Sequence, residues 1–223
     1  MPVRESAMLF GMLVHETIED VHKAALKNEV NSINADSVEL WLKTNYASLS
    51  KSYHSYLSET QINNALKHVM GYVKHQHGDW SKIKNAEFDV SLVKPEYIIE
   101  GKIDLIRGEG DTVEIVDFKS SRKPDVNDPA EFERLENYRR QLHIYAHIVE
   151  ERTGQKVSKM NLYFTGETDS VPIISYPYSP TAIQGTMAAF DDTVQQIMKK
   201  EFRKGSKNIQ ICRNCDFRHY CKI

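Results

Sequence analysis

The chain predicts an α/β domain: a mixed central sheet flanked by helices, with a helical N-terminal portion and a cysteine-bearing C-terminal tail. Three observations carry this. Apolar residues recur at helical spacing over residues 4–28 and 59–77. From residue 87 to 118 the pattern changes to strand-like runs separated by a glycine-rich turn. Helical periodicity then returns over residues 130–151, followed by a further apolar run, the order expected of a sheet with a crossover helix.

Met8, Met12, Val14, Ile18, Val21 and Ala25 share one helical stripe with no proline after Pro2, so residues 4–28 read as one long helix that contains His15. Residues 31–58 are polar and dotted with Trp41, Tyr46, Tyr53 and Tyr56, a helical insertion with Asp36 as its N-cap. Ile62, Ala65, Leu66, Val69 and Val73 predict a helix over 59–77 that stops at Gly78. Phe88, Val90 and Leu92 alternate with Glu87, Asp89 and Ser91, and Tyr97-Ile98-Ile99 leads through Gly101 to a second strand ending near Ile106. Gly108 to Asp111 makes a turn into a third strand over residues 112–118, paired with the second as a hairpin. Phe132, Leu135, Leu142, Ala146 and Val149 mark the crossover helix. A fourth strand over 157–165, a weaker one over 171–176 and a helix over 180–202 complete the order.

With 223 residues the chain suits one domain: a helical portion over 1–80, an α/β core over 81–204 and a tail over 205–223. Lys and Arg number 29 against 31 Asp and Glu, so overall charge gives no nucleic-acid signature, and any basic surface is local. Arg139-Arg140, the run at 199–204, and Arg213 with Arg218 are the places to find one. There is neither a long uninterrupted apolar stretch nor a signal-peptide pattern, so a soluble, cytoplasmic protein without membrane contact is expected. The three cysteines, Cys212, Cys215 and Cys221, cluster in the tail, which suits metal binding rather than a disulfide framework.

Three separated segments carry the chemistry. Gly101-Lys102-Ile103-Asp104 closes one apolar strand, Asp117-Phe118-Lys119 closes the next, and Gln141 to Tyr145 lies on the helix that follows. Phosphodiester cleavage needs a polarised water, a cation to offset charge in the pentavalent transition state, and help for the departing oxygen. Asp104 and Asp117, joined by the Phe118 backbone carbonyl, can ligate a divalent cation. Lys119 stands two residues after Asp117, on the same face of a strand. It can position or deprotonate the attacking water, or stabilise the phosphorane charge. A single D-x-K triplet means nothing; the combination of segments carries the reading. Gln141 and Tyr145, four apart, share a helix face with Tyr138, where glutamine can bond the lysine or a phosphate and tyrosine can stack on unpaired bases.

Taken together with Gly11 to His15, Tyr138 and the cysteine tail, these segments resemble the PD-(D/E)XK nucleases of the RecB-like branch. That restriction-endonuclease-like family includes the RecB and AddB nuclease domains and the CRISPR-associated adaptation exonucleases. The resemblance spans nearly the whole chain. It implies that His15 joins Asp104 and Asp117 as a metal ligand, that Lys119 is the catalytic lysine, and that Gln141 and Tyr145 line the DNA side of the site. Glu87 matches loosely an acidic residue often found on the preceding strand. An imidazole with two carboxylates suits Mn²⁺ at least as well as Mg²⁺. His54, His68, His75 and His77 have no such context and read as structural.

The same resemblance implies a [4Fe–4S] cluster on Cys212, Cys215 and Cys221, whose fourth cysteine lies upstream of the histidine motif. No cysteine precedes His15 in this chain. Either the chain is a domain excised from a longer polypeptide, such as the C-terminal part of a UvrD/RecB-type helicase, or a residue such as His219 serves. The reading overall is a Mg²⁺- or Mn²⁺-dependent DNA exonuclease acting on single-stranded or unwound ends in recombination or repair, with a helicase in cis or trans. The alternatives are a catalytically silent DNA-binding module of a helicase–nuclease complex and a metal-binding structural domain.

Overall fold

A computed structural model describes residues 3–76 and 79–201. The chain divides into two compact units, Met1–Ile183 and Gln184–Ile223. The first unit holds three N-terminal helices, α1 (Val3–Leu26), α2 (Ala35–Tyr53) and α3 (Glu59–His75), followed by the hairpin strands β1 (Ile83–Val93), β2 (Ile98–Glu109) and β3 (Thr112–Lys119). The crossover helix α4 (Phe132–Thr153), β4 (Lys156–Phe164) and β5 (Ile173–Pro177) come next. Helix α5 (Pro180–Met198) starts in this unit, and its remainder is most of what is described of the second. No described helix is long and apolar enough to cross a membrane.

The five strands form one mixed sheet in the order β1-β2-β3-β4-β5. All neighbours are antiparallel except β3 and β4, which run parallel because α4 carries the chain back across the sheet. Glu109 pairs with Thr112, so the β2–β3 turn is narrower than the predicted four-residue stretch. Gly110 takes φ 56° in it. Gly108 also needs its missing side chain: at φ 151° a Cβ there would stand 2.3 Å from the Thr112 carbonyl oxygen.

The N-terminal helices cover one face of the sheet. Leu9, Leu13, Val14, Ile18 and Val21 of α1 are buried with Val38 and Leu42 of α2, Val69 and Tyr72 of α3, and Leu105, Val116, Phe118 and Tyr163 of the strands. Val14, Ile18, Val21 and Ala25 of the predicted stripe are buried, but in the first turns Met8 is exposed, and Leu9 and Leu13 fill the core with Met12 only partly buried against it. Both registers satisfy helical spacing, and burial against β2 and β3 chooses between them. Asn34, not Asp36, caps α2. Its extended backbone lets the side chain accept from Ser37 N–H, and Ser37 returns a bond to the Asn34 N–H. Helix α3 begins with a similar reciprocal cap between Ser58 and Gln61 and ends at Gln76, ahead of the predicted stop at residues 77–78, which lie outside the described residues.

His22 is a buried imidazole in this core. Its Nε2 lies 2.6 Å from the Tyr72 hydroxyl, and burial pushes its pKa down to about 3. An unfolded histidine titrates near ~6.5. Between those values the unfolded chain binds the extra proton, so His22 removes stability as pH falls from ~6.5 toward 3, by up to about 1.4 kcal/mol per pH unit. Urea unfolding at two pH values in this window is expected to show a larger acid loss in the wild type than in His22→Leu. Equal losses would clear His22 of that role.

Candidate active site

Beyond the pair Leu105 and Val116 the β2–β3 ladder ends. There the Phe118 N–H, which would otherwise seek a strand partner, donates to the Asp104 carboxylate at 2.6 Å. A strand residue's N–H and C=O point to the same edge, so the Phe118 carbonyl looks the same way. The Asp104 carboxylate also meets the imidazole of α1: His15 Nδ1 is 3.5 Å from its Oδ1. The edge of the Phe118 ring packs against the face of His15, with centroids 6.4 Å apart.

Asp117 and Lys119 emerge together on the other side of β3, as their spacing requires. Asp117 is 4 % exposed, and its Oδ2 stands 2.6 Å from the Lys119 ammonium, a close ion pair without aligned hydrogen-bond geometry. Lys119 Nζ donates to Gln141 Oε1 at 3.1 Å and lies 4.3 Å from the Tyr138 ring centroid. Gln141 in turn donates to the Tyr145 hydroxyl at 2.9 Å. Gln141 and Tyr138 of α4 and Asp117 of β3 therefore fix the lysine from three directions. Gly101 makes this possible: a Cβ there would stand 3.0 Å from Tyr145 Cε1.

Glu87 belongs to this group more firmly than sequence matching suggested. The β1–β2 register places it opposite Asp104, yet it interrupts the pairing with a left-handed backbone, φ 47°. Such a conformation in a non-glycine residue costs of order 1–3 kcal/mol and marks sites where side-chain direction matters. Ligand atoms of His15, Glu87 and Asp104 lie within 4.8 Å of one another. Asp117 is outside that triad, held instead by Lys119. Lys102, two residues before Asp104, pairs with Glu87 Oε2 at 2.7 Å.

The electrostatics follow from crowding. Burial, helped by the Asp104 charge and opposed by Lys119, raises the Asp117 pKa to about 6. Burial also raises Glu87, with Lys102 opposing and Asp104 adding to the rise. For His15 burial works against protonation, but the hydrogen bond to Asp104 and the negative charges of Asp104, Asp117 and Glu87 outweigh it, so its pKa is raised. One nitrogen and two carboxylate donors, gathered where negative charge is under-compensated, fit a divalent cation.

Glu87 and Lys102 line a pocket with His15, whereas His15, Asp104, Asp117, Lys119 and Gln141 line a cleft of about 320 Å³. Ser121 and Arg134 also line it, and sequence reading did not single out either one. Arg134 sits on the α4 stripe seven residues before Gln141, a helical spacing that would have revealed it. Cys212, Cys215, Cys221 and His219 lie outside the described residues.

Sheet, crossover helix and acidic cleft define a restriction-endonuclease-like fold. The chain belongs to the PD-(D/E)XK nuclease superfamily, which it matches over residues 2–222. A 67-residue stretch is 45% identical to an ATP-dependent helicase/nuclease subunit of Carboxydothermus hydrogenoformans, a match covering 30% of this chain and 6% of that protein. The fold is similar to a solved structure named "Putative exonuclease" from Eubacterium rectale, with a TM-score of 0.55 and 14% identity over 84% of this chain and 73% of that one.

Removing the Lys119 charge removes the main influence that holds the Asp117 carboxyl down. In metal-free buffer, carboxyl ¹³C NMR of Lys119→Met is expected to show Asp117 titrating above its wild-type midpoint. An unchanged or lower midpoint would contradict the ion pair.

Proposed function

We propose that this protein is a divalent-cation-dependent deoxyribonuclease, acting as an exonuclease on single-stranded or unwound ends in recombination or repair. The observation that carries the proposal is the placement of Lys119 between Asp117 and Gln141, in the cleft that His15 and Asp104 also line, with a Glu87 carboxylate oxygen within 4.8 Å of the ligand atoms of both. A metal-binding structural domain has no need of a lysine fixed in that way.

His15, Asp104 and Glu87 would hold the cation, and Asp117 and the Phe118 carbonyl would be further oxygen donors from β3. When bound, Mg²⁺ or Mn²⁺ lowers the pKa of water and offsets charge developing on the phosphate. The imidazole favours Mn²⁺ over Mg²⁺. Lys119 presents its amine to the attacking water or a phosphate oxygen, and Asp117 Oδ2, 2.6 Å away, is the nearest acceptor for a proton leaving that amine. Gln141 fixes the amine's direction, while the faces of Tyr138 and Tyr145 offer stacking surfaces for unpaired bases. Similarity to a helicase/nuclease protein supports a helicase as the source of unwound strands, in cis or trans. Cys212, Cys215 and Cys221 are proposed to hold a [4Fe–4S] cluster with one further ligand.

The decisive experiment incubates labelled single-stranded DNA with Mn²⁺ and wild type, Asp117→Ala, Lys119→Ala or Glu87→Gln protein. Hydrolysis is expected to fall on the order of 10²-fold or more in each variant. Digestion that persists in Asp117→Ala and Lys119→Ala would place the site elsewhere. Wild-type binding without hydrolysis would make the chain a silent DNA-binding module.

A further inference from the structure

Arg134 stands in the first turn of α4, apart from the metal-binding triad, and lines the same cleft as Lys119. Three different segments grip its guanidinium. Nε donates to the Tyr138 hydroxyl at 3.1 Å, Nη1 to Glu131 Oε2 at 3.3 Å, and Nη2 to Ser121 Oγ at 2.8 Å. Ser121 is committed as an acceptor, because its own hydroxyl donates to the Arg122 carbonyl at 3.2 Å. Its backbone is pinned as well: the Gly166 N–H donates to the Ser121 carbonyl at 3.2 Å, and a Cβ on Gly166 would come within 2.9 Å of Ser121.

A guanidinium has five N–H donors. Three are engaged, which leaves one on each Nη, while the side chain stays 39% exposed and, among the described residues, has Glu131 as its one carboxylate partner within salt-bridge distance. Two donors in a fixed planar fork suit bidentate recognition of a phosphate, and holding the fork in advance reduces the ordering cost of binding. Tyr138 ties this group to the lysine: Lys119 Nζ is 4.3 Å and Arg134 Cζ 5.5 Å from its ring centroid. One ring thus sets the spacing of two cations along the cleft.

We propose that Arg134, gripped by Ser121, Tyr138 and Glu131, forms a second phosphate subsite, binding the backbone phosphate next to the one presented to Lys119 and so setting the strand's register in the cleft. This rests on reading the chain as a nuclease of DNA. The contact is to the backbone, so it carries no base preference.

The test measures binding of a fluorescent, mixed-sequence single-stranded oligonucleotide in EDTA, where no cleavage occurs, across a salt series. Wild type, Arg134→Ala, Arg134→Lys and Ser121→Ala are compared, with melting temperatures alongside. Arg134→Ala is expected to weaken binding on the order of tenfold or more, and to lessen the slope of log K against log salt by about 0.7, the share of one phosphate on a single strand. Arg134→Lys should keep the slope but lose part of the affinity, and Ser121→Ala should loosen binding with the slope kept. With Mn²⁺, Arg134→Ala should raise KM more than it lowers kcat. If Arg134→Ala and Arg134→Lys lower the melting temperature but leave affinity and slope unchanged, Arg134 is a structural staple and the subsite is wrong. Wild-type protein that binds no oligonucleotide would overturn the DNA reading itself, a result distinct from failure of the variants alone.

Discussion

Where the β2–β3 ladder ends, a carboxylate takes over from a carbonyl. Asp104 accepts the Phe118 N–H that has no strand partner, and this one bond brings the end of β2 against the end of β3. The bond satisfies a backbone donor that would be costly to leave unpaired. It also lays the Asp104 carboxylate beside His15, in the cleft that Asp117 and Lys119 enter from β3. The acidic cleft exists because the two strands part at this point and not a residue earlier or later.

The gathered charge has an energetic consequence. Asp117, with a pKa raised to about 6, binds a proton more tightly in the fold than in the unfolded chain. Its contribution to stability is therefore present at acid pH and lost as pH rises through 6. At neutral pH the site works against the fold, and the apolar contacts of α1 to α3 with β2, β3 and β4 carry it. Helix α4 opposes the repulsion locally, through the Gln141 and Tyr138 contacts that keep the Lys119 ammonium at Asp117.

Most of the architecture was legible because it depends on period and punctuation. The hairpin, the crossover helix and the five strands follow from alternation, glycine and proline, and their order makes the mixed sheet unavoidable. Asp117 and Lys119 sharing a face follows from strand geometry alone. What sequence could not supply were choices settled by tertiary contact. Leu9 and Leu13 rather than Met8 and Met12 face the core, Asn34 displaces Asp36 because Ser37 answers it, and Glu87 enters the triad through a backbone turn that no residue type announces. Arg134 stood within reach of the same reasoning, at helical spacing from Tyr138 and Gln141, but its contacts with Ser121 and Glu131 show only in the fold.

The left-handed backbone at Glu87 sets chemistry and folding at odds. A glycine at this position would relieve a conformation that costs an L-residue of order 1 kcal/mol, and would also relieve burial of a carboxylate beside Asp104. Loss of activity at this position is therefore thermodynamically downhill. A chain selected only for holding DNA could drift toward glycine or asparagine there and become sturdier as it fell silent. A strained glutamate there gives up stability that the proposed cation site would need it to give up.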